Sequence, residues 1–209
     1  MRNALSFYRR QLLAAAAGLA VTAPAFGLTL KKRDGLITVR APRGATTGTL
    51  HFNGRAYPCT LGRSGIVDGK HEGDGGTPAG VYPLREIRYR PDRIAPPRSN
   101  LPVTATTPSD GWCDDPADPA YNKPVRLPYS RSTESLWRED GAYDLFAVIG
   151  YNDAPPVPGA GSAIFLHVAR TGPDGTFRPT AGCVALAEPD LLAVLSACTP
   201  RTMIDIRTF

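Results

Sequence analysis

Apolar and polar residues alternate along this chain in short beats, and most of those beats have the period of a β-strand. Leu36-Ile37-Thr38-Val39 predicts a strand. Gly48–Phe52 and Arg55–Cys59 flank Asn53-Gly54, the dipeptide that suits a type I′ turn, and together they predict a hairpin. Gly62–Gly76 is a glycine- and charge-rich loop. Thr77-Pro78-Ala79-Gly80 then predicts a turn that delivers the chain into a strand over Val81–Leu84. Asp144–Ile149 and Ala163–Val168 are nearly continuous apolar runs, as expected of strands buried on both faces. A helix is predicted only over Glu188–Leu195, with Pro189 near its start, and Thr202–Arg207 predicts a closing strand. The fold class is therefore mainly β with one short helix. Residues from about 88 to 140 follow neither period and predict a long irregular insertion, rich in Pro, Asp and Arg. This stretch still carries Trp112, Tyr121, Tyr129 and Trp137, more aromatic anchorage than a solvated linker holds. It is expected to be either a lid or groove wall, or a structural loop stapled by its aromatics.

The first 25 residues have a different composition. Arg2, Arg9 and Arg10 form a basic segment, Leu12–Val21 is apolar but too short to span a bilayer, and Ala23-Pro24-Ala25 offers a small-residue cleavage site. Residues 1–25 are expected to be a signal peptide, with an uncleaved N-terminal anchor as the alternative. Arg9-Arg10-Gln11-Leu12-Leu13 resembles a twin-arginine signal, and a general secretory signal fits equally well. Removing the segment takes away three positive charges and no negative ones, so the formal net charge falls from +5 to +2. The basic balance thus belongs largely to the leader and does not argue for a nucleic-acid partner. No other stretch is long and apolar enough for a membrane helix, so no stable span is expected after processing. Residues 26–209 suit one domain with one sizeable core.

The chemistry centres on Cys183, in Pro179-Thr180-Ala181-Gly182-Cys183-Val184, and on His167, sixteen residues earlier at the end of an apolar run. A thiolate is a strong nucleophile and a neighbouring imidazole can take the thiol proton. Gly182 keeps side-chain bulk away just before the sulfur and leaves room for backbone N–H groups to face an oxyanion. Against this stands the plainer reading of a small buried Cys and a core His. Cys59, Cys113 and Cys198 remain. Export to an oxidising compartment would allow at most one disulfide among them, with Cys198 joined to Cys59 or Cys113 as one possibility. His51 reads as a surface or packing residue. His71, between Lys70 and Glu72, lacks the spacing of a metal site, and neither a metal nor another cofactor is expected.

These motifs together resemble the L,D-transpeptidase catalytic domain, the YkuD-type family of peptidoglycan enzymes. The family motif is a His after a strand, then a loop, then Ser or Thr, any residue, Gly-Cys and an aliphatic residue. His167, Thr180, Gly182, Cys183 and Val184 fill those positions in order, and Thr77-Pro78-Ala79-Gly80 is similar to the family's Thr-Pro-x-Gly turn. The resemblance covers most of residues 35–209. It implies a YkuD-type β-sandwich, Cys183 as nucleophile, His167 as general base, and the backbone carbonyl at Val168 as the group orienting the imidazole. It also implies peptidoglycan stem peptides as acyl donor and acceptor, inhibition by carbapenems, and action in the periplasm. Asp110–Pro116 with Tyr121-Asn122 looks like a feature of a proteobacterial subgroup. As a groove wall it would make Trp112, Asp114, Asp115 and Tyr121 substrate-binding residues, with Asp114 or Asp115 meeting an acceptor ammonium. The chain departs from the family at Ala185, where most members have Arg, and at Val168, where many have Gly. Arg170 or Arg178 is a candidate replacement for the missing positive charge. Three outcomes stay open: a transpeptidase, a related carboxypeptidase or amidase, and a non-catalytic wall-binding domain.

Overall fold

The computed structural model describes residues 35–209, so the expected signal peptide over residues 1–25 lies outside the described residues. The chain opens with β1 (Leu36–Ala41), β2 (Thr47–Phe52) and β3 (Arg55–Thr60). Ile37, Val39 and Ala41 of β1 are buried and alternate with half-buried neighbours, the period-2 pattern of a strand with one face on a core. Asn53 and Gly54 both have positive φ, 49° and 79°, as a type I′ hairpin turn requires. The Gly62–Gly76 loop and the turn after it are more ordered than their composition suggests. Two short strands, β4 (Ile66–Val67) and β5 (Thr77–Pro78), pair in parallel there, and the following strand β6 runs from Gly80 to Tyr89, well beyond the predicted Leu84.

The insertion is not irregular throughout. It adds β7 (Val103–Ala105) to the main sheet, and β8 (Asp110–Cys113), β9 (Pro124–Arg126) and β10 (Thr133–Ser135) form a separate three-stranded sheet in the order β10-β8-β9. β11 (Leu145–Ile149), β12 (Phe165–Val168), β13 (Val184–Leu186), α1 (Glu188–Ser196) and β14 (Met203–Thr208) complete the chain.

The main sheet has the order β11-β12-β13-β3-β2-β1-β14-β6-β7, and β6 also pairs with β11. The first half of β6 pairs with β14 and its second half with β11, so the sheet closes on itself and its two layers are continuous. Closure encloses one core, which includes Ile37, Leu50, Leu166, Leu186 and Ile206, and α1 packs Leu191, Val194 and Leu195 into it. All five residues of β11 are buried because the strand serves two cores. Leu145, Ala147 and Ile149 face the enclosed core. Phe146 and Val148 face outward into a second cluster with Trp112, Leu136, Tyr143, Phe165 and Cys183, where the insertion covers the sheet. This second cluster explains why the insertion needs its large aromatics. Among the described residues no helix is long and apolar enough to cross a membrane.

Candidate active site

β12 and β13 lie side by side in parallel, with Leu166 opposite Val184 and His167 opposite Ala185. This register puts Cys183, the residue before β13, level with Phe165. The Phe165 N–H and the Cys183 Sγ are 3.3 Å apart, and the thiol in turn faces the Ala163 carbonyl at 3.3 Å. Strand alternation turns Leu166 into the enclosed core and leaves Phe165 and His167 on the outer face with the sulfur. Cys183 and His167 thus line the same cleft, of about 400 Å³.

The turn that carries the sulfur is held from within. Gly182 has φ of +152°, and a methyl group there would come within 2.8 Å of the Gly76 carbonyl oxygen, so only glycine fits. The Thr180 hydroxyl accepts the Gly182 N–H at 3.1 Å and donates to the Cys183 carbonyl at 2.7 Å. Thr180 lines the cleft, but its hydroxyl is committed to this turn. The same bond occupies the Gly182 N–H, which is one of the backbone N–H groups next to the sulfur.

The His167 Nδ1 lies 2.8 Å from the Val168 carbonyl oxygen. A carbonyl can only accept, so Nδ1 carries the proton and Nε2 keeps its lone pair. The Tyr143 ring meets the imidazole edge-on at 5.4 Å between centroids. Burial pushes the His167 pKa down to about 4, against the pull of the Val168 bond. Burial, with Glu134 nearby, pushes the Cys183 thiol up to about 12; the Phe165 N–H, Lys70 and Arg138 act the other way. Burial thus favours the neutral form of both the thiol and the imidazole.

Of the other residues singled out in the sequence, Asp114 and Arg170 also line the cleft. Asp114 keeps one buried carboxylate oxygen without a hydrogen-bond partner, and Arg170 lies 3.5 Å from Asp140. Trp112, Asp115 and Tyr121 do not line it. Trp112 packs edge-on against Phe165 at 5.3 Å and donates its Nε1–H to Asn122. The Tyr121 hydroxyl donates to Glu72 at 2.6 Å and accepts the Gly161 N–H, and Asp115 accepts the Ala117 N–H within its own turn. The polar atoms of Trp112 and Tyr121 are engaged inside the protein, as in a structural staple, whereas Asp115 is half-exposed and bonds only within its own surface turn. Asn122, at φ 56°, is the hub of this arrangement. Its Oδ1 also accepts the Ala163 N–H, and Ala163 is the residue whose carbonyl faces the thiol.

Lys70, Glu134 and Arg138 are among the cleft residues that no sequence motif picks out. Lys70 is buried and paired with Asp74 at 2.7 Å. Glu134 accepts the Tyr143 hydroxyl at 2.7 Å, and burial raises its pKa. Arg138 bridges Glu134 and Asp140. Each reaches the sulfur only through tertiary packing, so no local spacing reveals it. The side chains around His71 diverge: the imidazole is 81% exposed, Glu72 serves Tyr121 and Ser162, and Asp74 serves Lys70. Cys59, Cys113, Cys183 and Cys198 are all buried and free, which removes the expected possibility of a bridge from Cys198 to Cys59 or Cys113.

The sequence matches the family profile of YkuD, the L,D-transpeptidase catalytic domain, over residues 39–206. The chain belongs to the YkuD family. Members of this family are cysteine-dependent L,D-transpeptidases that act on peptidoglycan stem peptides in the cell envelope and are inhibited by carbapenems. Among solved structures the chain is similar to L,D-transpeptidase 1 of Mycobacterium tuberculosis, at 13% identity and a TM-score of 0.38, covering 83% of this chain and 62% of that one. It is also similar to an L,D-transpeptidase of Mycobacterium smegmatis, at 12% identity and TM-score 0.37, covering 82% of this chain and 58% of that one. A third is the helical cell shape determining protein Pgp2 of Campylobacter jejuni, at 15% identity and TM-score 0.39, covering 84% and 48%. The YkuD chain thus spans less than two thirds of the length of each. No curated protein matches it in sequence.

Proposed function

We propose that this YkuD domain is a cysteine L,D-transpeptidase of the periplasm, with stem peptides as donor and acceptor. The observation that carries the reading is the shared cleft of Cys183 and His167, with the imidazole fixed through Nδ1 so that Nε2 is the basic atom. With burial favouring the neutral form of both groups, the thiol gives up its proton to the imidazole as the sulfur attacks. The Cys183 Sγ–carbon bond forms as the donor carbonyl's π electrons move onto its oxygen, and the thiol proton passes to His167 Nε2. Collapse of the tetrahedral intermediate restores the carbonyl and breaks the scissile C–N bond. His167 returns its proton to the departing amine and leaves a thioester. An acceptor amine then attacks the thioester carbon and gives a proton to His167; the C–S bond breaks and His167 passes that proton to the sulfur, which regenerates the thiol. The product is a cross-link.

The test is mass spectrometry of products after mixing the mature protein with purified disaccharide-tetrapeptide, beside Cys183→Ala. A cross-linked dimer formed only by the unmodified protein is expected, and fragmentation locates the bond. Monomers shortened by one residue would make the protein a carboxypeptidase. No product in either sample would overturn the assignment for this donor.

A further inference from the structure

Lys70 has no part in the mechanism above, yet its position next to the nucleophile's turn is closely specified. Its side chain is only 4% exposed and it lines the cleft. A methyl group added at Gly161 would come within 2.9 Å of Lys70 Cε, and one added at Gly182 would lie 3.4 Å from Lys70 Nζ. Glycine at both positions therefore leaves the volume that the lysine fills and brings its ammonium against the backbone just before Cys183. The loop that carries Lys70 is braced on the same turn. Asp74 accepts Lys70 Nζ at 2.7 Å and the Gly76 N–H at 2.8 Å, and the Gly76 carbonyl is the atom that excludes a side chain at Gly182.

Two donor counts then matter. An ammonium has three N–H donors. Asp74 takes one and the His71 carbonyl, at 3.4 Å, engages a second, which leaves one. On the other side, the Thr180 hydroxyl already holds the Gly182 N–H, so Cys183's own N–H is the backbone donor left for an oxyanion in this turn. The site is one donor short of a pair, and Lys70 has one to spare.

We propose that Lys70 Nζ is the second oxyanion donor, a catalytic residue that hydrogen-bonds the carbonyl oxygen as it becomes negatively charged. No covalent bond changes at Nζ, which donates a hydrogen bond and transfers no proton. The proposal rests on Cys183 being the nucleophile.

The experiment compares two reactions of one thiol. Acylation by a carbapenem passes through a tetrahedral oxyanion. Alkylation by iodoacetamide forms the S–C bond as iodide leaves, with no oxyanion. Both rates are followed by mass spectrometry, of the intact protein and of the peptide containing residue 183, on wild type, Lys70→Met and Cys183→Ala. Lys70→Met is expected to slow acylation about 10²–10³-fold, the usual cost of one oxyanion donor, and to slow alkylation far less. Equal slowing of both would overturn the proposal and leave Lys70 as a structural group or a modulator of the thiol. Circular dichroism and a thermal melt establish that each variant is folded before the rates are compared, because unfolded chain exposes its thiols to iodoacetamide alone, and Lys70→Gln supplies the comparison if Lys70→Met does not fold. Undiminished carbapenem labelling of Cys183→Ala would instead overturn the nucleophile assignment, and the role of Lys70 with it.

Discussion

Thr180→Val isolates the device that holds the nucleophile's turn. The two side chains have nearly the same shape, so the exchange removes an oxygen without opening a cavity. The backbone links of residue 180 do not involve the side chain and survive: its N–H still meets the Leu61 carbonyl at 2.8 Å, and its carbonyl still meets the Arg63 N–H at 3.0 Å. Two buried groups lose a partner. The Gly182 N–H loses its only side-chain acceptor, and the Cys183 carbonyl keeps just the Thr77 hydroxyl at 3.5 Å. A buried polar group left without its partner costs about 1–3 kcal/mol, so the pair predicts a loss of about 2–4 kcal/mol, the upper part tempered by Thr77. Urea denaturation followed by Trp fluorescence measures it, with an unchanged slope showing that stability alone has moved. Thr180→Ser keeps the oxygen and is expected to recover most of the loss. Stability of Thr180→Val within about 0.5 kcal/mol of wild type, or equal losses in both variants, would refute the reasoning.

Gly182→Ala meets the Gly76 carbonyl and a φ suited to glycine, and is expected to abolish acyl-enzyme formation, with a fall in melting temperature measured alongside. His167 titrates near 4 in the folded protein against 6.5 ordinarily, so the unfolded chain takes up a proton first as pH falls. Stability is then complete above about pH 6.5 and declines towards pH 4, by up to about 3 kcal/mol, and urea titrations across that window should be flatter for His167→Asn. Thiol titration of the denatured, unreduced protein should count four free cysteines, and a count of two would restore the disulfide.

The parts of the fold that follow from local chemistry were legible in the chain. Asn53-Gly54 forces a hairpin wherever it sits between alternating strands, and Pro189 marks a helix start whatever surrounds it. The continuous apolar run of β11 announced burial on both faces, although not that two different cores receive it. Thr77-Pro78 read as a turn because Pro and Gly punctuate it, while its pairing with Ile66-Val67 depends on a loop closure that no periodicity reports. Trp112 and Tyr121 illustrate a deeper ambiguity. A large aromatic with a polar tip suits a groove wall and an internal staple equally well, and only the partners Asn122, Glu72 and Gly161 decide between them. Cys183 and His167 stood out because their motif is local to two strands that pair. Lys70, Glu134 and Arg138 did not, since their approach to the sulfur is created by packing between distant segments.

The central claim is that acyl transfer runs through the Cys183 sulfur, and the most direct measurement is peptide mapping of the adduct formed by a carbapenem on the purified protein. The account predicts a single adduct on the peptide containing Cys183, and none on Cys183→Ala. An adduct on Cys59, Cys113 or Cys198, or undiminished labelling of Cys183→Ala, would contradict it.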